Sequence, residues 1–188
     1  KKVGVAFTGA SECFRKTFIE IKKISTINHI TLIPIMSFNC YKLNTKYGKA
    51  KELIKEIENI TENKVIHTIQ EAEKINYGLG LDILMIAPCT GNTISKLSYD
   101  IIDTPVTVTA KFHLRNDKPI VLGISSNNGL SDNAENIGRL LNRKNYYFIP
   151  FRQTNPITKP YSIMYETKYI KKTIEYALNK KQIQPIIL

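Results

Sequence analysis

The sequence predicts a three-layer α/β domain, a doubly wound parallel sheet held between two layers of helices. Its apolar residues fall into short, nearly continuous runs of strand length, the pattern of strands covered on both faces, and helix-period patterns alternate with those runs along the chain. Polar turns follow successive strands, at the end where such sheets bind ligands.

Residues 3–7 form the first buried strand, and Cys13, Phe14, Phe18, Ile21 and Ile24 give the helical spacing after it. Residues 30–35 are a second strand, broken near its end by Pro34. Residues 48–57 are an amphipathic helix with Ala50, Leu53, Ile54 and Ile57 on one side. Residues 81–87 are the next strand, ended by Pro88, which removes a ladder N–H, and residues 93–99 are a helix. Thr104 and Pro105 read as an N-cap and first helical position, opening a helix over 106–114. A strand at 119–124, a helix at 133–141, a strand at 146–149 and a helix at 167–179 complete the series. Residues 1–150 thus make a Rossmann-like or flavodoxin-like domain, and 151–188 a C-terminal loop and helix packing on it. The 156–160 stretch has no periodic pattern and reads as a loop on the ligand side, a lid, a partner contact or structure alone.

With 188 residues the chain suits one domain with a full core. Its net charge of +11 comes mostly from lysine, the arginines being Arg15, Arg115, Arg139, Arg143 and Arg152. Lys49, Lys51 and Lys55 alternate with Glu52, Glu56 and Glu58, a solvated helix face, so the charge does not argue for nucleic-acid binding. No apolar run reaches the roughly 18 residues of a membrane span, and the start lacks a signal-peptide pattern; the expectation is a cytoplasmic protein. Cys13, Cys40 and Cys89 contain no Cys-x-x-Cys pair, and His29, His67 and His113 no metal-ligand spacing, so neither disulfides nor a metal site is expected.

The candidate site begins at the turn after the 81–87 strand. Pro88, Thr90, Gly91, Asn92 and Thr93 offer small residues, free N–H groups and side-chain donors where a helix N-terminus adds a positive dipole end, a setting for an anion. Thr8, Gly9, Ala10 and Ser11 form a second such turn, and Ser37 begins a third. The stretch from Gly4 to Ser11 nearly copies a phosphate loop, but Ala10 stands where the lysine belongs. The Gly-x-Gly-x-x-Gly fingerprint is absent; Gly78-Leu79-Gly80 precedes a strand instead of following one. Two turns without either signature suit a single terminal phosphate such as that of flavin mononucleotide (FMN), and equally suit ordinary strand-to-helix turns. Cys89 reads as a packing residue. Lys111, Arg115 and Arg152 are the cations proposed to clamp a substrate carboxylate.

These residues carry a resemblance. The segments 87–97, 103–106, 114–116, 137–142 and 147–153 resemble the B subunits of dipicolinate synthase, as do 44–48 and the tail 182–185, so the likeness runs in order along the whole chain. More distantly, Pro88 to Lys96 is similar to the flavin-dependent cysteine decarboxylase superfamily, whose corresponding turn holds the flavin phosphate. The resemblance implies a flavoprotein subunit that works with a nicotinamide (NAD(P))-binding A subunit to dehydrogenate dihydrodipicolinate to dipicolinate in sporulation, a reaction that removes a hydride and a proton from a dicarboxylate. It also implies that the region from Asp103 to Ala110, with Thr104 and Val106, lies along the flavin, and that the chain forms a homo-oligomer. It supplies no catalytic base. The decarboxylases' histidine and their Pro-Ala-Met-Asn-like turn have no counterpart after residues 123–128, which disfavours decarboxylation. Arg152 stands where those B subunits have glycine, and Asn128 where they have an acid. Two other readings are a non-catalytic flavin-binding or scaffold subunit and a flavin-dependent decarboxylase.

Overall fold

A computed structural model describes residues 1–78 and 80–188; the side chains of residues 11 and 76–78, like Leu79 of the Gly-Leu-Gly run, lie outside the described residues. The strands β1 (Lys2–Phe7), β2 (Thr31–Met36), β3 (Ile83–Thr90), β4 (Ile120–Ser126) and β5 (Tyr146–Phe148) form the parallel part of a seven-stranded sheet in the order β2-β1-β3-β4-β5. The chain winds outward one way from β1 to β2, then crosses back to β3. That reversal leaves an uncovered crevice between the carboxyl ends of β1 and β3.

Helices cover both faces: α1 (Phe14–Ser25), α2 (Phe38–Lys42), α3 (Ala50–Thr61), α4 (Ile69–Gly78), α5 (Gly91–Ser98), α6 (Pro105–Arg115), α7 (Ala134–Leu141) and α8 (Ile170–Leu178). α1 is anchored where Phe7 meets Phe18 edge to face at 5.3 Å and Phe14 at 5.5 Å, a geometry that adds about 0.5–1.5 kcal/mol per pair to the burial itself. This contact fixes the short turn between β1 and α1, residues 8–13, over the sheet end. None of the described helices is long and apolar enough to cross a membrane.

Three expectations are corrected. Pro34 does not break its strand: β2 runs on to Met36 as the outer strand of the parallel sheet, where Pro34 pairs with Val5 and its carbonyl accepts from the Ile66 N–H. An edge tolerates the missing N–H. Pro88 does not end β3 either. The ladder to β4 shifts register between Ile86 and Cys89 and resumes through Thr90, with a cis Ala87–Pro88 bond inside the strand. Third, the stretch around 156–160 is a short turn between strands in place of an open loop. It is the tip of a hairpin, β6 (Phe151–Asn155) and β7 (Lys159–Tyr165), whose second strand runs antiparallel to the end of β4 and makes the sheet mixed. Its outer, half-exposed positions are polar, which hides the strand period. Helices α2 and α4 were not expected; α4 is opened by Thr68, whose hydroxyl accepts from the Glu71 N–H while the Glu71 carboxylate accepts from the Thr68 N–H.

The expected cap of α6 is present. Thr104 and Thr107 form a reciprocal capping box, with Pro105 in the first turn. At the other end His113, 2% exposed, places Nε2 2.8 Å from the Pro119 carbonyl and pins α6 to the start of β4. Burial pushes its pKa down to about 4, so the folded imidazole is neutral and donates this bond. Between the unfolded value near 6.5 and about 4, the unfolded chain binds the extra proton, and stability falls as pH falls through that window. Denaturant titrations at pH 7 and pH 4.5 are expected to show a pH-dependent loss of about 2–3 kcal/mol that is absent when His113→Gln is titrated alongside; an unchanged pH dependence in the variant refutes this role.

Candidate functional site

At the crevice, the ends of β1 and β3 are tied by Thr8, whose backbone N–H donates to the Pro88 carbonyl at 3.2 Å and whose hydroxyl adds two further bonds. Thr8, 1% exposed, donates from Oγ1 to the Pro88 carbonyl (2.8 Å) and accepts from the Thr90 N–H (3.0 Å). Its single proton is spent on Pro88, so in the 3.1 Å pair with Thr90 it is the Thr90 hydroxyl that donates. Thr8 and the Thr90 hydroxyl therefore position the crevice instead of donating to a ligand. The donors left facing out belong to the first turn of α5. Thr90 caps that helix with extended backbone but no side-chain bond, which leaves its first N–H groups to a ligand or water.

Two clefts open on either side of Gly9, Thr90 and Asn92, which line both. The cleft on the Ser37 side, about 420 Å³, gathers Thr8, Gly9, Ser37, Thr90, Asn92, Thr93 and Thr104, candidates from distant parts of the sequence. Its charged lining residue is Lys96, which sequence reasoning missed. Lys96 sits one turn after Asn92 on α5 and contacts both Asp103 oxygens at 2.8 Å, joining the α5 and α6 ends of the cleft. Ser37 lines the cleft and also caps α2 through the Cys40 N–H. The Thr104 hydroxyl is shared with Thr107 in the capping box.

The second, polar cleft, about 560 Å³, includes Ala10 and is floored by Ser125, Ser126, Asn128 and Asn133; its charged lining residues are acids, Glu12 and Asp132. Beneath it Asn133 donates to Asn128 Oδ1 (2.8 Å), Ser95 donates to Asn133 Oδ1 (3.0 Å), and Asn136 donates to Ser95 (3.1 Å). The network locks α5 to α7 and the β4 turn. Gly91 is required here: a Cβ would lie 2.6 Å from Asn133 Nδ2. At Gly9 a Cβ would meet only Thr90 within 4 Å, so the missing side chain leaves room in the crevice.

Glu12 and Asn127 continue the polar cleft into a third, cationic one of about 360 Å³, which contains Lys16, Arg152 and Lys159. Arg152 is paired with Glu166 through Nε, which leaves the rest of its guanidinium fork for another acceptor. The remaining candidates fall elsewhere. Pro88 is buried and contributes its carbonyl to Thr8. Val106 is fully buried in the core and lines none of these clefts. The side chain of Ser11 lies outside the described residues. Lys111 and Arg115 are not in the crevice: α6 starts there, and Arg115 is at its far end, about 15 Å along the axis. Cys89 is buried with its thiol pushed up by desolvation, a packing residue as expected. No group of three His, Cys, Asp or Glu among the described residues could hold a metal.

This donor set fits a terminal phosphate with a polar tail: open helix amides, neutral Asn and Ser groups, one lysine and a glycine that leaves space. A family model described as Flavoprotein matches residues 1–179. The dipicolinate synthase B subunit of Bacillus subtilis (strain 168) is 39% identical over 189 residues, covering 100% of this chain and 94% of that protein. The crystal structure of the dipicolinate synthase B subunit from Bacillus halodurans C has a TM-score of 0.91 and 37% identity, covering 100% of this chain and 96% of that one. A dodecameric FMN-dependent Ubix-like decarboxylase from Escherichia coli O157:H7 shares the fold, with a TM-score of 0.61, 18% identity and 80% of each chain covered.

Two substitutions test the construction of the crevice. Thr8→Val removes a buried donor and two acceptances and is expected to cost about 1–3 kcal/mol in denaturant unfolding, whereas Thr8→Ser, which keeps the hydroxyl, stays near wild type. Gly91→Ala is expected to cost about 1–3 kcal/mol by overpacking against Asn133, read by the same unfolding titration.

Proposed function

We propose, since this chain belongs to the Flavoprotein family and within it to the B subunits of dipicolinate synthase, that it binds FMN in the crevice and acts with a nicotinamide-binding A subunit to dehydrogenate dihydrodipicolinate to dipicolinate. The observation that carries this reading is the convergence of Gly9, Ser37, Asn92, Thr93 and Thr104 on one cleft at the β1/β3 reversal. When bound, a flavin supplies a hydride acceptor and donor.

The residues of the chain divide the remaining work. The first-turn amides of α5, the Asn92 amide and the Thr93 and Ser37 hydroxyls are placed to hold a phosphate, and Lys96 brings positive charge to the same wall. The polar cleft next to it carries two acids, Glu12 and Asp132, and no cation among its described lining residues, so it disfavours an anion and suits the uncharged body of a ligand. Carboxylates are instead drawn to Lys16, Arg152 and Lys159 in the adjoining cleft, where guanidinium and ammonium groups fix a dicarboxylate at one end. Glu12 is the carboxylate that lines both of these clefts, which makes it the candidate acceptor for the proton. Oxidation removes one hydride and one proton, and aromatisation of the ring drives it forward. The three histidines line none of the three clefts, which favours dehydrogenation over histidine-assisted decarboxylation. The dodecameric Ubix-like relative supports a homo-oligomeric subunit.

Reconstitution tests the reading. Pyridine formation by the A subunit is expected to rise on adding this chain with FMN; an equal rate from the A subunit alone refutes a catalytic role. Asn92→Ala and Lys96→Gln are each expected to weaken FMN about 10-fold in a flavin-fluorescence titration, the equivalent of one charge-assisted or well-placed hydrogen bond.

A further inference from the structure

The two sequence-predicted cations left out of the crevice lie together elsewhere. Between α5 and α6 runs a groove of about 490 Å³ whose floor is apolar, with Leu97, Ala110 and Leu114, and whose edge carries Ile101, 47% exposed. On its α6 side stand Lys111 and Arg115, one helical turn apart. Like charges at this spacing repel. The nearby acids are already engaged: Asp100 with Arg143 at 3.0 Å and Asp103 with Lys96. Among the described residues, Lys111 and Arg115 have no ion-pair partner, and Arg115 only rests 5.7 Å from the centre of the Phe112 ring.

We propose that this groove docks an amphipathic segment of the partner subunit, with acidic side chains spaced to meet Lys111 and Arg115 and apolar ones covering Leu97, Leu114 and Ile101. Charge selects the occupant. A second copy of this chain would bring another +11, whereas an acidic segment relieves the i,i+4 repulsion and buries the apolar floor, the manner in which a helix seats in a groove. Lys96 lines both this groove and the cleft on the Ser37 side, so the docked segment adjoins the residue that joins α5 to α6 at the cofactor wall. The inference rests on the reading that this chain works with an A subunit.

The test is a binding titration of the full chain with purified A subunit, by calorimetry at two salt concentrations. Lys111→Glu/Arg115→Glu is expected to weaken association at least 10-fold and to flatten its salt dependence. Lys51→Glu/Lys55→Glu, an equal charge change on the exposed face of α3, is expected to stay within 2-fold. Lys111→Glu alone places a glutamate four residues before Arg115, the favourable order on a helix, so its thermal midpoint is not lowered and any loss of binding is a surface effect. Unchanged affinity in the double variant overturns the proposal, as does an equal loss in the α3 control. A change in the light-scattering mass of this chain alone, with affinity for the A subunit intact, assigns the groove to a second copy and also overturns it. Failure of the unaltered chain to bind the A subunit refutes instead the two-subunit reading, and the groove's occupant falls with it.

Discussion

Thr8 is the fastening on which the rest of the crevice depends. Where a parallel sheet reverses its winding, the two central strands end side by side with no helix above them, and their terminal backbone groups must find partners without closing the gap. Thr8 meets this demand at both strands: its backbone N–H reaches the Pro88 carbonyl, and its hydroxyl oxygen serves the Pro88 carbonyl and the Thr90 N–H together. Every other part of the site is set relative to that join: the start of α5 follows Thr90 directly, and the β1–α1 turn follows Thr8. The aromatic contacts of Phe7 with Phe14 and Phe18 hold the other side of the turn.

Around this join the protein uses neutral hydrogen-bonding groups where a phosphate-loop enzyme uses charge. Ser95, Asn133, Asn136 and Asn128 satisfy one another below the polar cleft, and a satisfied network in a low-dielectric setting is rigid without the desolvation cost of buried ions. Gly91 is what lets α5 press its first residue against that network. Cations are kept to the ends, Lys96 at one and Lys16, Arg152 and Lys159 at the other, with the acids Glu12 and Asp132 in the polar cleft between them, so the lining charge changes sign along the crevice.

Much of this was legible in the residues. The apolar runs marked the five parallel strands because both faces of each are covered, and Thr104-Pro105 marked the start of α6 because a cap and a proline have few other uses together. The turns at Thr8, Ser37 and Thr90 were legible for the same local reason, and the resemblance tied them to one ligand. What stayed hidden was non-local. A phosphate-loop pattern puts its lysine at the position of Ala10, whereas the structure brings Lys96 to the cleft from a different helix; its signal was only its place one turn after Asn92. Lys111 and Arg115 were assigned to the substrate by residue type, although the expected helix over 106–114 already set Arg115 at the end away from the Thr104 cap. The hairpin was missed because its strands alternate in a polar, half-exposed setting, while α4 carried a readable signal in Thr68 and Glu71 that went unused.

The hairpin has a consequence for assembly. A parallel sheet of five strands has two open margins, each a template for another chain's backbone. Here the short β5 reaches only part of β4, and β7 occupies the remainder. On the opposite margin the Ile66 backbone pairs with Pro34 and Met36, and Pro34 itself offers no donor. The β2 margin is thereby closed to continuation by a neighbouring molecule's strand, while on the other side the edge is moved out to β6, where the chain's own tail pairs with Phe151 and the short run from Arg152 to Asn155 is left as a polar rim in place of a long apolar edge.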